Sequence, residues 1–186
     1  MAEKARKLAP TTLLILLAVE SFAAAAVTIT NITEWHVQSA GTPPIVKVKG
    51  ADVDDTLVSV TIDETRADGI NRTIITIKGY TGDPTNYSEV IKICNKDTSK
   101  SYAVKLVYNG VLSGGWTYVK YLKLWLGTTG PLTIDSSTKE GASIGPVTVG
   151  PSSCVSVPAE VLVTPNAPTG NDLISIRVDV VSTTPP

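Results

Sequence analysis

His36 is the only histidine in the chain. A catalytic zinc normally takes two or three imidazoles beside an open position, and no H-E-x-x-H occurs, so metal-assisted hydrolysis has no carrier. Gly141-Ala142-Ser143-Ile144-Gly145 fits the G-x-S-x-G pattern of a nucleophile elbow. That motif works at a strand–turn–helix corner whose histidine comes later in the chain. Here Pro146 follows at once, no helical pattern succeeds it, and His36 lies upstream. The match reads as coincidence. There is no phosphate-cradling glycine loop and no dinucleotide fingerprint. These residues predict a protein that is not an enzyme.

Binding and modification chemistry is better represented. Acidic residues gather at Asp52, Asp54 and Asp55, and again at Asp63, Glu64 and Asp68. Two such loops could converge on one calcium ion, a hard cation that takes several oxygen ligands. Asp52, Asp54, Asp55 and Asp63 are the candidate ligands, with solvated turn carboxylates as the alternative; no other cofactor is expected. Three sequons mark candidate N-glycosylation: Asn31-Ile32-Thr33, Asn71-Arg72-Thr73 and Asn86-Tyr87-Ser88. Asn71 and Asn86 sit in turn-like surroundings. Asn31 shares strand parity with Val27 and Ile29, which would place a glycan on a buried face unless a bulge intervenes.

The elements that position these residues read as strands throughout. Val, Ile and Thr abound, and Gly and Pro punctuate the chain about every ten residues, the composition of a β-sandwich or barrel. Val46 and Val48 alternate with Lys47 and Lys49, Val58, Val60 and Ile62 with Ser59 and Thr61, and Ile75 and Ile77 with Thr76 and Lys78. Val104, Leu106 and Tyr108 share one face of a strand expected to turn at Asn109-Gly110. Val147, Val149, Val155 and Val157 follow prolines, and Ile174, Ile176, Val178 and Val180 share the face of a closing strand. Period-two alternation gives one buried and one wet face per strand, as in an antiparallel sandwich. Trp116–Leu126 is apolar on both faces, which predicts a central strand, or one whose second face a neighbouring subunit covers.

The N-terminus carries an export signal. Lys4, Arg6 and Lys7 precede the apolar run Leu13–Val19, and Ser21–Ala26 closes it with small residues. The run is shorter than the roughly 20 residues a bilayer span needs. Cleavage after Ala24-Ala25-Ala26 makes Val27 the first mature residue and leaves one domain of about 160 residues. The full chain has a net charge of −1, and removing three cations with two anions leaves it slightly more negative. Nothing in that balance suits nucleic acid. The mature protein is expected outside the cell, with no membrane span of its own. Cys94 and Cys154 are the only cysteines, and in an exported chain they pair by default; two buried thiols are the alternative.

Val27–Val37 is the most suggestive segment. Val27, Ile29, Trp35 and Val37 lie on one parity and Ile32 on the other. Burying these five side chains is worth roughly 8–15 kcal/mol gross, and ordering the segment costs a comparable amount of backbone entropy. The strand therefore holds only if it completes a ladder and fills a groove, in its own sandwich or in the next subunit. The linker Gln38–Pro44 would let it swing out. Strand addition of this kind builds a head-to-tail fibre.

With its secreted single sandwich, its strand directly after the signal and the late series Gly145-Pro-Val-Thr-Val-Gly-Pro151, Cys154-Val-Ser-Val-Pro158 and Asp172–Ser182, the chain resembles the TasA/camelysin-like biofilm fibre proteins, and more closely the archaeal bundling-pilus subunits. The resemblance implies an all-β, antiparallel jelly-roll-like sandwich with an N-terminal donor strand. Its organisation would be a signal peptide at 1–26, strand and linker at 27–44, and the sandwich at 45–186. It implies an extracellular filament, a homopolymer that can lie against neighbouring filaments in cell–cell adhesion or biofilm. The alternative is a secreted carbohydrate- or surface-layer-binding module using Trp116, Tyr118, Tyr121 and Trp125.

Overall fold

The computed structural model describes residues 43–63 and 72–184. The chain divides into two units, Met1–Ala40 and Gly41–Pro186, and the described residues all belong to the second. They form ten strands: β1 (Ile45–Lys49), β2 (Val58–Asp63), β3 (Arg72–Ile77), β4 (Pro84–Asn95), β5 (Tyr102–Gly114), β6 (Val119–Leu126), β7 (Thr129–Ile134), β8 (Ser143–Val149), β9 (Cys154–Val163) and β10 (Ile174–Thr183). No helix occurs among the described residues. A five-stranded sheet runs β1-β4-β9-β6-β7, a three-stranded sheet runs β10-β5-β8, and β2 and β3 form a separate pair. Every pairing between these strands is antiparallel. The fold is an all-β sandwich.

Alternation builds the core. On β5, Tyr102, Val104, Leu106 and Tyr108 are buried, while Ala103, Lys105, Val107 and Asn109 face away. On β9, Val157, Ala159, Val161 and Val163 are buried in the same way. Pro158 interrupts that strand and has no N–H for the ladder. Opposite it, β4 bulges between Tyr87 and Ile91. The carbonyls freed there accept from the chain after β1, Val90 from Gly50 N–H at 3.0 Å and Glu89 from Asp52 N–H at 3.1 Å. Gly50 has no room for a Cβ against the Glu89 carbonyl, so this crossing requires glycine.

Several sequence expectations change. Asn109-Gly110 makes no hairpin turn; β5 continues through it with a shift in its register against β10, and Gly110 is the left-handed step (φ 98°) that passes the Glu140 side chain. Asn86 lies within β4, not in a turn. Trp116 precedes β6 and packs against the core from outside the strand. β6 is an interior strand, flanked by β9 and β7; Val119 and Leu126 are buried in the core with Leu122 and Leu124 packed against it, and a register shift between Val119 and Tyr121 breaks the parity expected across the whole segment. β1 is reversed, as its pairing makes plain. Lys47 lies opposite Ile93 and Lys49 opposite Ile91, both core residues, whereas Val46 and Val48 share the outer face with Cys94 and Lys92. Alternation finds a strand's two faces, but only its neighbour decides which is inside.

Cys94 and Cys154 form a disulfide and sit directly opposite each other across β4 and β9. Asn95 N–H donates to Ser153 O at 2.8 Å, so the cysteines occupy a non-hydrogen-bonded pair, where side chains approach most closely. Replacing both by serine is expected to lower stability by about 2–4 kcal/mol. For a domain of this size that is a fall of roughly 5–15 °C in Tm, measurable by calorimetry.

Beside the disulfide, Asn95 is 2 % exposed. Its amide nitrogen donates to the carbonyls of Lys100 (2.7 Å), Gly150 (2.9 Å) and Val149 (3.2 Å), and its oxygen accepts from Asp97 N–H (2.9 Å). This one side chain ties the end of β4 to the β4–β5 turn and to the end of β8. Asp97 continues the turn. Its carboxylate accepts from the N–H groups of Ser99 and Lys100, the Ser99 hydroxyl and the Tyr102 hydroxyl. These donors, the Ser99 N–H first, hold its pKa down to about 2.

A carboxyl whose folded pKa lies below its unfolded value of about 3.9 stabilises the fold above that value and loses the effect as pH falls towards the folded pKa. Asp97→Asn should therefore flatten the wild-type loss of Tm between about pH 4 and pH 2. Thermal melts at half-unit pH steps check it; an unchanged slope would show that Asp97 does not set the acid limb.

Candidate assembly edge

An open sandwich exposes the backbone donors and acceptors of its edge strands, and natural proteins guard such edges with proline or inward charges. Four edge strands flank the two larger sheets. β7 carries Pro131 and β8 carries Pro146. β1 turns Lys47 and Lys49 towards the core side. β10 has neither device: its ten residues contain no proline, and among the described residues β5 is its sole strand neighbour.

The inward face of β10 is also incompletely covered. Val178 and Val180 lie opposite Tyr108 and Leu106, which are 3 % and 2 % exposed, yet both valines are only half-buried, as are Ile174 and Ile176. Val58 and Val60 of β2 belong to the same core cluster as Leu106 and Tyr108, and β2 packs on β1 and β4. Among the described residues no ladder joins the β2–β3 pair to β10.

Electrostatics mark the same place. Asp179 on β10 accepts from Arg177 Nε and a terminal Arg177 nitrogen at 2.9 Å each, and from Asn109 Nδ2 at 2.7 Å. Arg177 is the main cause that holds the Asp179 carboxyl below the usual range. Half-buried Lys47 has its ammonium pKa pushed down by burial, and the charge of Asp179 opposes that shift. The charges of Lys47 on β1 and Asp179 on β10 thus act on each other.

The remaining candidate residues are dispersed. Val27, Ile29, Ile32, Trp35 and Val37, with Asn31, His36 and Asn71, lie outside the described residues. Asn86 is exposed on β4, opposite Glu160. Asp52 binds Ser88 Oγ (3.1 Å) and Glu89 N–H (2.6 Å), joining its loop to β4. Asp54 accepts three N–H groups of its own turn, with Leu57 the largest cause of its lowered pKa. Asp55 is a left-handed turn residue, and Asp63 ends β2. No group of three potential metal ligands forms among the described residues. Ser143 opens β8 as an exposed strand residue, with no helix after it.

The aromatics proposed for a sugar platform, Trp116, Tyr118, Tyr121 and Trp125, are all partly buried and lie in different surroundings. Tyr121 O–H donates to Glu160 at 2.8 Å; Lys123 Nζ bonds the same oxygen at 2.8 Å and lies 4.4 Å from the Tyr121 ring centroid. Trp116 packs on the core, and Trp125 lies beside Gly130. The β10 edge itself is not flagged by any motif. Its signal was the pair of lysines in β1 and the prolines in β7 and β8, which leave β10 as the edge strand of the two larger sheets with neither device. The sequence matches no protein-family model and no curated protein.

Proposed function

We propose that this protein is a secreted, non-catalytic structural subunit of an extracellular filament. Residues 27–37 of one copy add to the β10 edge of the next, and the chain polymerises head to tail. The observation that carries this reading is the edge of β10, which among the described edge strands of the two larger sheets has neither proline nor inward charge, together with its half-buried apolar face. An eleven-residue strand spans about 36 Å and the ten residues of β10 about 33 Å, so donor and acceptor match in length. The added strand would satisfy the free edge and remove Val27, Ile29, Trp35 and Val37 from water together with β10's own valines and isoleucines. An isologous β10–β10 dimer would close at two copies and leave residues 27–37 without a place, whereas donation through a terminal strand repeats without closing. The disulfide suits an oxidising, extracellular setting. Filaments built this way can lie side by side in cell–cell adhesion or biofilm.

Negative-stain electron microscopy of the mature chain beginning at Val27, with and without calcium, tests the proposal. Thin regular filaments are expected in both conditions. A monodisperse monomer at every concentration would end the filament reading, and the surface-binding module would replace it.

A further inference from the structure

The outer face of the five-stranded sheet carries a polar row across four strands. Asn86 on β4 lies opposite Glu160 on β9, Glu160 opposite Lys123 on β6, and Lys123 opposite Thr133 on β7. Tyr87, the next residue of β4, pairs with Ala159, and both are buried, so Asn86 and Glu160 point away from the core. Asn86 is exposed, and the hydrogen bonds around it engage Thr85, Tyr87, Ser88 and Glu89 but not its amide. The Glu160 side chain is 17 % exposed. Lys123 and Tyr121 both bond its Oε1 and hold its carboxyl below the usual range, so it is ionised at neutral pH, and its Oε2 has no donor among the described residues. Side chains directly opposite on adjacent strands start about 5 Å apart. An unpartnered carboxylate oxygen therefore stands beside an unpartnered amide.

Asn86 opens the sequon Asn86-Tyr87-Ser88, the one of the three whose asparagine is among the described residues. We propose that Asn86 carries an N-linked glycan and that Glu160 seats its first sugar, Oε2 accepting a sugar O–H or N–H. The inference rests on the export reading, because the co-reactant is a lipid-phosphate-linked oligosaccharide, used on exported chains. Transfer forms a bond from Asn86 Nδ2 to the sugar's anomeric carbon and breaks that carbon's bond to phosphate. The lipid phosphate leaves and the amide gives up one proton. In the folded sandwich the Ser88 hydroxyl donates to the Asp52 carboxylate, 3.1 Å from each oxygen, and Tyr87 is buried. Transfer therefore precedes closure of that contact. β10 belongs to the other sheet, so the glycan leaves the proposed acceptor edge uncovered.

The test begins with peptide mass spectrometry of the exported protein, recovered from the cells that make it. The peptide containing Asn86 is expected to be heavier by whole sugar residues, and Asn86→Gln should lose that mass. Thermal melts then test the seat, on the glycoprotein and on the same chain made in a host without the transferase. In the glycoprotein Asn86→Gln should lower Tm by about 4 °C or more, the loss of a hydrogen bond to a charged group. In the unmodified chain it should stay within about 2 °C, as an exposed substitution does. With Glu160→Ala in place, the glycoprotein should show the same small shift.

An exported chain whose Asn86 peptide has its plain mass would overturn the site while leaving export and the filament reading intact. An occupied Asn86 whose loss leaves Tm unmoved, or lowers it equally with Glu160→Ala in place, would overturn the seat. A chain found only inside the cell would overturn the export reading and this inference together.

Discussion

Removing residues 27–37 from the mature chain should abolish assembly and leave the sandwich folded. The expected rise in critical concentration exceeds about a hundredfold, because the deletion takes away every apolar group that would fill the β10 edge, gross burial worth roughly 8–15 kcal/mol. The fold should survive because its core is supplied by β4, β5, β6 and β9, whose buried residues contact one another without that segment. The disulfide between β4 and β9 adds to it. Sedimentation gives the first quantity and a thermal melt the second. A deletion that left assembly intact would refute strand donation. One that collapsed the monomer's Tm would mean that the segment completes its own sandwich.

The second large effect concerns the fold itself. Asn95→Asp should destabilise the protein by about 3–5 kcal/mol at neutral pH. The substitution is nearly isosteric, but the amide nitrogen donates to three carbonyl oxygens, at Lys100, Val149 and Gly150. A carboxylate there would face three acceptors with no donor to give, in a site 2 % exposed. At roughly 2–4 °C per kcal/mol for a domain of this size, Tm should fall by about 10 °C or more. The deficit should shrink at low pH, where a protonated acid recovers one donor. A Tm within 2 °C or so of wild type would show that the carbonyls find other partners and that Asn95 does not clamp the turn.

How much of this was legible in the sequence follows from what alternation can and cannot encode. β5, β9 and β10 were readable because Val104, Leu106 and Tyr108, Val155 and Val157, and Ile174 to Val180 keep a strict period of two over a long run. The Cys94–Cys154 pair followed from export and count. β1 was misread because two valines and two lysines alternate equally well either way; pairing with Ile91 and Ile93 puts the lysines on the core-facing side, where Lys47 is half-buried and Lys49 still exposed. Asn109-Gly110 carries the composition of a hairpin turn, yet the left-handed glycine serves to pass Glu140 within a continuous strand. Asn95 was invisible for another reason. Its importance lies in carbonyls 5, 54 and 55 residues away, and no local pattern announces them.

The same distinction explains the candidate site. A guarded edge leaves a local trace, proline in β7 and β8 or inward lysine in β1, but an unguarded edge leaves none. β10 became a candidate only when the sheet order identified the edge strands and three of the four proved to be protected.

Hydrogen exchange, residue by residue, on dispersed and assembled mature protein tests the central claim most directly. If a neighbour's strand docks on β10, amides within Ile174–Thr183 that point to its free edge should slow by a hundredfold or more on assembly, while those of β1, β7 and β8 keep their monomer rates. Filaments in which β10 exchanges as it does in the monomer would contradict the account, and protection appearing at β1 instead would move the acceptor to the edge its lysines were argued to close.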